Sequence, residues 1–220
     1  MTSGSDEQAG RSADDAVSGG RLPADAGRVL LPWARGAIAG HLRLEAGVED
    51  GFEAESPTPG SRVRLLDEHP AWLGAPGAAF VTLRIGGDLR GCIGTLEAFR
   101  PLGEDVRINA INAAFRDPRF DPLSAREFDL ICIEVSVLST PTPVGDVRSA
   151  AEAVALLRPG VDGVILRSGP HRATFLPQVW GHLPSPYDFL ARLRQKAGLG
   201  PDWDEPARIL RYTVQAWEEE

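Results

Sequence analysis

A turn signal between two strand-like runs does most to restrict the folds open to this chain. Residues 78–85 (Ala-Ala-Phe-Val-Thr-Leu-Arg-Ile) read as a strand, Gly86-Gly87 as a hairpin turn, and residues 88–94 as the returning strand. The returning strand ends in Leu89-Arg90-Gly91-Cys92-Ile93-Gly94, which sets a thiol between two glycines and beside an arginine. Residues 129–139 add a second restriction by alternating strictly. Ile131, Ile133, Val135 and Val137 share one face, and Cys132, Glu134 and Ser136 share the other.

Helical spacing marks other segments. Leu30, Trp33, Ala34, Ala37, Ile38, His41 and Leu42 recur on one face, with Pro32 tolerable in the first turn. Residues 47–62, with Gly51, Pro57, Pro59 and Gly60, read as a loop. Between residues 101 and 115 Leu102, Val106, Ala110 and Ala113 fall on one side, and Asp117-Pro118 stops the element. Thr140-Pro141-Thr142-Pro143 is expected to break the alternating strand. A short helix over 149–157 follows, then a strand at 163–167 and a turn at Gly169-Pro170 leading into residues 173–176. Ser185-Pro186 opens a last helix carrying Phe189, Leu190 and Leu193, which ends at Gly198. One final strand has Leu210, Tyr212, Val214 and Ala216 facing one way. Hairpins with interspersed helices and few βαβ units predict an α+β fold with a mainly antiparallel sheet and packed helices. Residues 1–25, rich in Ser, Gly, Ala and Asp, lack the apolar surface to offset ordering and are expected to form a disordered tail. Residues 26–220 remain as the folded part.

A net charge of −8 argues against general nucleic-acid binding and against anionic membrane surfaces, since neither partner meets a basic face. A local basic cleft is compatible with that average. The N-terminus has no signal-like apolar stretch, and no run approaches the roughly 18 apolar residues of a membrane span, so a cytoplasmic protein is expected. Cys92 and Cys132 form neither a CxxC pair nor a zinc pattern, which suits a reducing compartment. Cys132, in an apolar run, reads as a small core residue. No grouping of His, Cys and carboxylates supplies a metal site, and no cofactor is evident.

Cys92 has three readings: a nucleophile or redox thiol, a small packing residue, or a regulatory oxidation site. Flanking glycines open φ values closed to other residues, and a cationic neighbour favours the thiolate. On a regular strand Arg90 and Cys92 point the same way, unless Gly91 kinks the chain. Asp117 is placed to bond nearby backbone amides. Arg119 offers a guanidinium fork for a carboxylate or phosphate, or else an internal ion pair, for instance with Glu134. Glu134, partly buried, is either an arginine's acceptor or a weak candidate general base. Gln178, at a loop-to-helix transition, is placed to donate to a ligand carbonyl. Arg90, Gly91, Gly94, Arg119 and Gln178 are thus the candidate ligand-binding residues, with Cys92 and Glu134 the candidate catalytic ones. His171 occupies a turn, Lys196 complements a helix C-terminus, and His41 and His69 read as surface or packing residues.

Several segments in order resemble one family. They are Phe80-Val81-Thr82-Leu83, Leu89 through Gly94, Asp117-Pro118-Arg119-Phe120 with Pro122-Leu123, and Val135-Ser136-Val137-Leu138. Asp162-Gly163, Ala173-Thr174-Phe175-Leu176-Pro177-Gln178 and Lys196-Ala197-Gly198-Leu199 follow. From about Arg28 onward the chain resembles the AMMECR domain family, whose prokaryotic members are called AmmeMemoRadiSam system protein A. The resemblance implies two unequal lobes, the larger holding both termini, with the cysteine motif near a cleft between them. It also implies association with a Memo-type protein and a radical S-adenosylmethionine enzyme, to which any iron or cobalamin-like chemistry would belong. Two functions stay open. One is an enzyme or enzyme subunit using Cys92 on a small molecule or a protein-borne group. The other is a non-catalytic binding or adaptor protein whose Arg-Gly-Cys motif shapes a ligand or partner surface.

Overall fold

The computed structural model describes residues 21–45 and 69–220. The loop expected at 47–62 and most of the expected tail lie outside these residues. The chain divides into two compact units, residues 1–137 with 216–220, and residues 138–215.

The first unit contains helix α1 (Gly27–Glu45), the short α2 (Ala71–Gly74), strands β1 (Pro76–Ile85), β2 (Asp88–Gly94) and β3 (Arg100–Pro101), helix α3 (Leu102–Phe115), the short α4 (Ala125–Phe128) and strand β4 (Ile131–Leu138). The C-terminal strand β9 (Val214–Glu218) returns to complete a sheet of order β2-β1-β4-β9, with β3 paired to β1. Gly86 and Gly87 both have positive φ (59° and 91°), as a two-residue hairpin turn requires. The alternation read from sequence places Val81 and Leu83 of β1 and Ile133 and Val135 of β4 in one core. Leu30, Ala34 and Ile38 of α1 and Val106, Ala110 and Ala113 of α3 cover it. At roughly 1.5–3 kcal/mol for each large apolar side chain, this burial supplies most of the unit's stabilisation. His41 packs on the Phe115 ring (4.4 Å) and His69 on Trp33 (4.7 Å), so both are packing residues.

The second unit holds β5 (Thr142–Val147), α5 (Ala150–Ala155), β6 (Gly163–Ser168), β7 (His171–Phe175), a 3-10 turn (Pro177–Gly181), α6 (Pro186–Lys196) and β8 (Ala207–Tyr212). Its antiparallel sheet has the order β5-β8-β6-β7. Val164, Leu166, Ala207 and Ile209 pack under Phe189, Leu190 and Leu193 of α6, and Trp180 stacks on Phe189 at 3.7 Å. Ser185 accepts the Asp188 amide (3.4 Å) to cap α6, and Gly198 (φ 77°) ends it, as its residue types foretold.

The break expected after the alternating strand is present: β4 ends at Leu138, and the chain resumes in the other sheet as β5, which runs through Pro143. It can because β5 is an edge strand with a register shift between Pro143 and Gly145, where a missing N–H costs no ladder bond. Two expectations need correction. The last strand is two strands that part at Thr213. Leu210 and Tyr212 are buried on β8, while Ala216 of β9 is exposed and Trp217 packs on the first core. The end of the presumed tail is also anchored, since Leu22 packs against that core and the Ala24 carbonyl accepts the Trp217 indole N–H (2.8 Å). Among the described residues no helix is long and apolar enough to cross a membrane.

Candidate functional site

Strand β2 is an edge of the first sheet, and Cys92 lies on it opposite Thr82. Val81 and Leu83 point into the core, so Thr82 and Cys92 occupy the opposite face. The two side chains meet there, with the Thr82 hydroxyl donating to Cys92 Sγ at 3.4 Å. An edge residue presents backbone groups with no neighbouring strand, and each such group needs a partner. The turn after α3 provides both. Asp117 Oδ2 accepts the Cys92 N–H (2.9 Å), and Arg119 Nη2 donates to the Cys92 carbonyl (3.3 Å).

Asp117 and Arg119 are themselves locked together. Arg119 Nε donates to Oδ1 (2.9 Å) and Nη2 to Oδ2 (2.6 Å), while the Arg119 amide also donates to Oδ1 (3.1 Å). Asp117 is buried, whereas the Arg119 side chain is 53% exposed. The Arg119 guanidinium, followed by the Cys92 and Arg119 amides, holds the Asp117 carboxyl well below the usual carboxylate range against the opposing effect of burial. Arg119 is raised in turn, first by its bond to Asp117, then by the charges of Asp117 and Cys92. The guanidinium also sits 5.5 Å from the centre of the Phe120 ring. The internal pair expected for Arg119 therefore exists, but its partner is Asp117 and not Glu134.

The same-face placement of Arg90 and Cys92 assumes a regular hairpin. A regular hairpin from Gly86-Gly87 would pair Cys92 with Val81. The register instead slips between Leu83, opposite Gly91, and Arg84, opposite Leu89, leaving Arg90 as the extra residue of a bulge. Arg90 and Cys92 thus lose the simple same-face relation. The Arg90 guanidinium binds Glu127 through Nε (2.9 Å) and Nη2 (3.3 Å), and Nη2 also reaches the Asp121 carbonyl (2.9 Å). Glu127 closes a capping box with Ser124. Its carboxyl is lowered to about 2, first by Arg90 and then by Ser124.

Both glycines have packing reasons, and neither has a positive φ. A Cβ on Gly91 would lie 3.1 Å from the Ala113 carbonyl carbon and closer still to its oxygen, so β2 rests directly on the α3 backbone. A Cβ on Gly94 would enter the Phe80 ring, which covers it from the paired strand (2.7 Å to Cδ2 and nearer to other ring atoms).

Glu134 lies on β4 of the same sheet, half-buried, and accepts the Ser136 hydroxyl at 2.9 Å. Gln178 is exposed on the 3-10 turn of the second unit. His171 Nδ1 lies 3.0 Å from the Ala197 carbonyl and Lys196 donates to the Thr174 carbonyl (3.0 Å), so both bind backbone. Cys132 is half-buried rather than a sealed core residue, with Sγ 3.2 Å from the Glu219 carbonyl. Burial, followed by Glu218 and Glu219, pushes its thiol pKa up. Among the described residues no group of three or more His, Cys, Asp or Glu side chains is placed to hold a metal ion. Thr82 escaped the sequence reading because only the bulge puts it opposite Cys92.

The family model described as AMMECR1 matches residues 34–217, which includes the hairpin, the Asp117–Arg119 turn and the whole of the second unit. A protein of Methanothermobacter thermautotrophicus is 40% identical over 205 residues, covering 90% of this chain and 97% of that protein. One from Thermococcus onnurineus is 36% identical over 210 residues, covering 91% and 93%. The crystal structure of an uncharacterised protein from Pyrococcus horikoshii has the same α+β fold, with a TM-score of 0.69 at 33% identity over 89% of this chain and 92% of that one. With sequence, register and fold in agreement, the chain belongs to the AMMECR1 family.

Proposed function

We propose that the protein is a binding component whose Cys92–Arg119 edge seats an anionic group, a carboxylate or phosphate, of a small molecule or a protein-borne substrate. One observation carries this reading. Asp117 fixes the Arg119 guanidinium through Nε and Nη2 beside Cys92, while Nη1 has no hydrogen-bond partner among the described residues and half the side chain is exposed. A guanidinium held in this way has little rotamer entropy left to lose on binding, and its open edge favours planar oxyanions. Among the described residues, Cys92 Sγ has a hydrogen bond from Thr82 and none with a basic side chain. That favours binding over nucleophilic attack, which needs a base within hydrogen-bond reach.

A second reading keeps Cys92 as the reacting thiol of an enzyme subunit, and the Arg119 guanidinium bonded to the Cys92 carbonyl favours it. Memo-type and radical S-adenosylmethionine proteins are the proposed partners under either reading, and co-purification with tagged protein tests them. Native mass spectrometry of the full chain after exposure to a cell-extract metabolite pool separates the two functions. The binding reading expects a captured mass that dissociates on denaturation, persists in Cys92→Ser and is lost in Arg119→Gln. A mass that survives denaturation and disappears in Cys92→Ser would establish covalent chemistry instead.

A further inference from the structure

The four-stranded sheet of the second unit carries a row of charges that the Cys92 site does not use. Asp146 of β5 stands opposite Arg208 of β8, Arg208 opposite Arg167 of β6, and Arg167 opposite Arg172 of β7. Their strand neighbours Val147, Ala207, Leu166 and Ala173 point into the core, so the row lies on the other face. All four side chains belong to exposed residues. Like charges set directly across a sheet destabilise it, and here three arginines are consecutive in a chain whose net charge is −8. One carboxylate, Asp146, pairs with Arg208 (Nε–Oδ1 2.9 Å, Nη2–Oδ2 3.3 Å), and Arg167 and Arg172 have interactions of their own.

The row borders a concavity. Asp146, Arg167, Ser168, Gly169, Pro206 and Arg208 line an open depression of about 330 Å³, within the range of small-molecule sites. Neighbouring strands are about 4.8 Å apart, so the backbone positions of the three arginines span roughly 10 Å from Arg172 to Arg208. A single oxyanion is gripped by two adjacent forks, and the third arginine extends the grip to a second oxyanion.

We propose that this arginine row is a binding site for a small ligand carrying two adjacent oxyanions, of the diphosphate or polycarboxylate kind. The ligand displaces the Asp146 carboxylate from Arg208, so that Asp146 acts as a built-in competitor. This proposal is independent of the Cys92–Arg119 site, which lies in the other unit.

Isothermal titration calorimetry of the full chain at constant ionic strength, with pyrophosphate, citrate and inorganic phosphate as probes, tests it. Pyrophosphate or citrate should bind more tightly than inorganic phosphate, and the tighter of the two identifies which oxyanion the site prefers. Arg167→Gln and Arg208→Gln should each weaken that binding about tenfold, the loss expected for one charge-assisted pair. Asp146→Asn should tighten it, a gain that misfolding cannot produce, and running every titration in an Arg119→Gln background removes any contribution of the Cys92–Arg119 edge. Absence of binding by pyrophosphate and citrate, unweakened binding in either arginine variant, or no gain in Asp146→Asn would overturn the proposal.

Discussion

Replacing Gly91 with alanine would drive a methyl group against the backbone of α3, 3.1 Å from the Ala113 carbonyl carbon and closer to its oxygen. Both elements in contact are backbone, so no side-chain rotation relieves the overlap. Strand β2 must lift from the helix, and the Asp117–Cys92 bond must stretch with it. Overpacking of this type costs about 1–3 kcal/mol, and a contact with rigid backbone belongs at the upper end, near 3 kcal/mol. For a chain of this size that lowers the melting temperature of the affected transition by roughly 6–12 °C. Gly36 is the internal control. It lies exposed in α1 with no atom within 4 Å of an added Cβ, so Gly36→Ala should stabilise by about 0.5–1 kcal/mol through helix propensity. Thermal unfolding followed by circular dichroism compares the two variants. A Gly91→Ala protein that melts with the wild type would refute the packing account of this glycine.

Two further outcomes follow from the electrostatics. Because Arg90 and Ser124 lower Glu127 from 4.5 to about 2, the unfolded chain binds the proton that the folded protein refuses. The stabilisation is complete above about 4.5 and is lost as pH falls towards 2, so Glu127→Gln should flatten the drop in urea midpoint between about pH 5 and about pH 3. A wild-type slope retained in that variant would contradict the pairing. Burial and the neighbouring Glu218 and Glu219 raise the Cys132 thiol, so iodoacetamide near neutral pH should label it more slowly than a free cysteine. Labelling at the free-cysteine rate in native protein, read by peptide mass spectrometry, would show that this environment is wrong.

What was legible in the sequence was what depends on period and punctuation. The alternation of 131–137 gave β4, Gly86-Gly87 gave the hairpin, and Ser185-Pro186 with Gly198 bracketed α6. What stayed hidden depends on a neighbour remote in sequence. Pro143 fits a strand only because β5 lies at an edge, and the parting of β8 from β9 at Thr213 reflects two different sheets, although apolar residues continue across it. The Arg90 bulge is the consequential case. One extra residue put Arg90 in a bulge, where it pairs with Glu127, and brought Thr82 opposite the thiol, while Arg119 arrived from a turn 27 residues along the chain. Asp117 was foreseen as a partner for backbone amides. That one of them is the Cys92 amide required the fold.

The proposed function requires that Cys92 and Arg119 form one anion-binding edge. The rate of Cys92 alkylation by iodoacetamide, measured with a metabolite pool before and after its anions are removed on an exchange resin, tests this most directly. The untreated pool should slow the reaction in wild type and leave it unchanged in Arg119→Gln, while the stripped pool should protect neither protein. Equal rates for wild type in the two pools would contradict the claim.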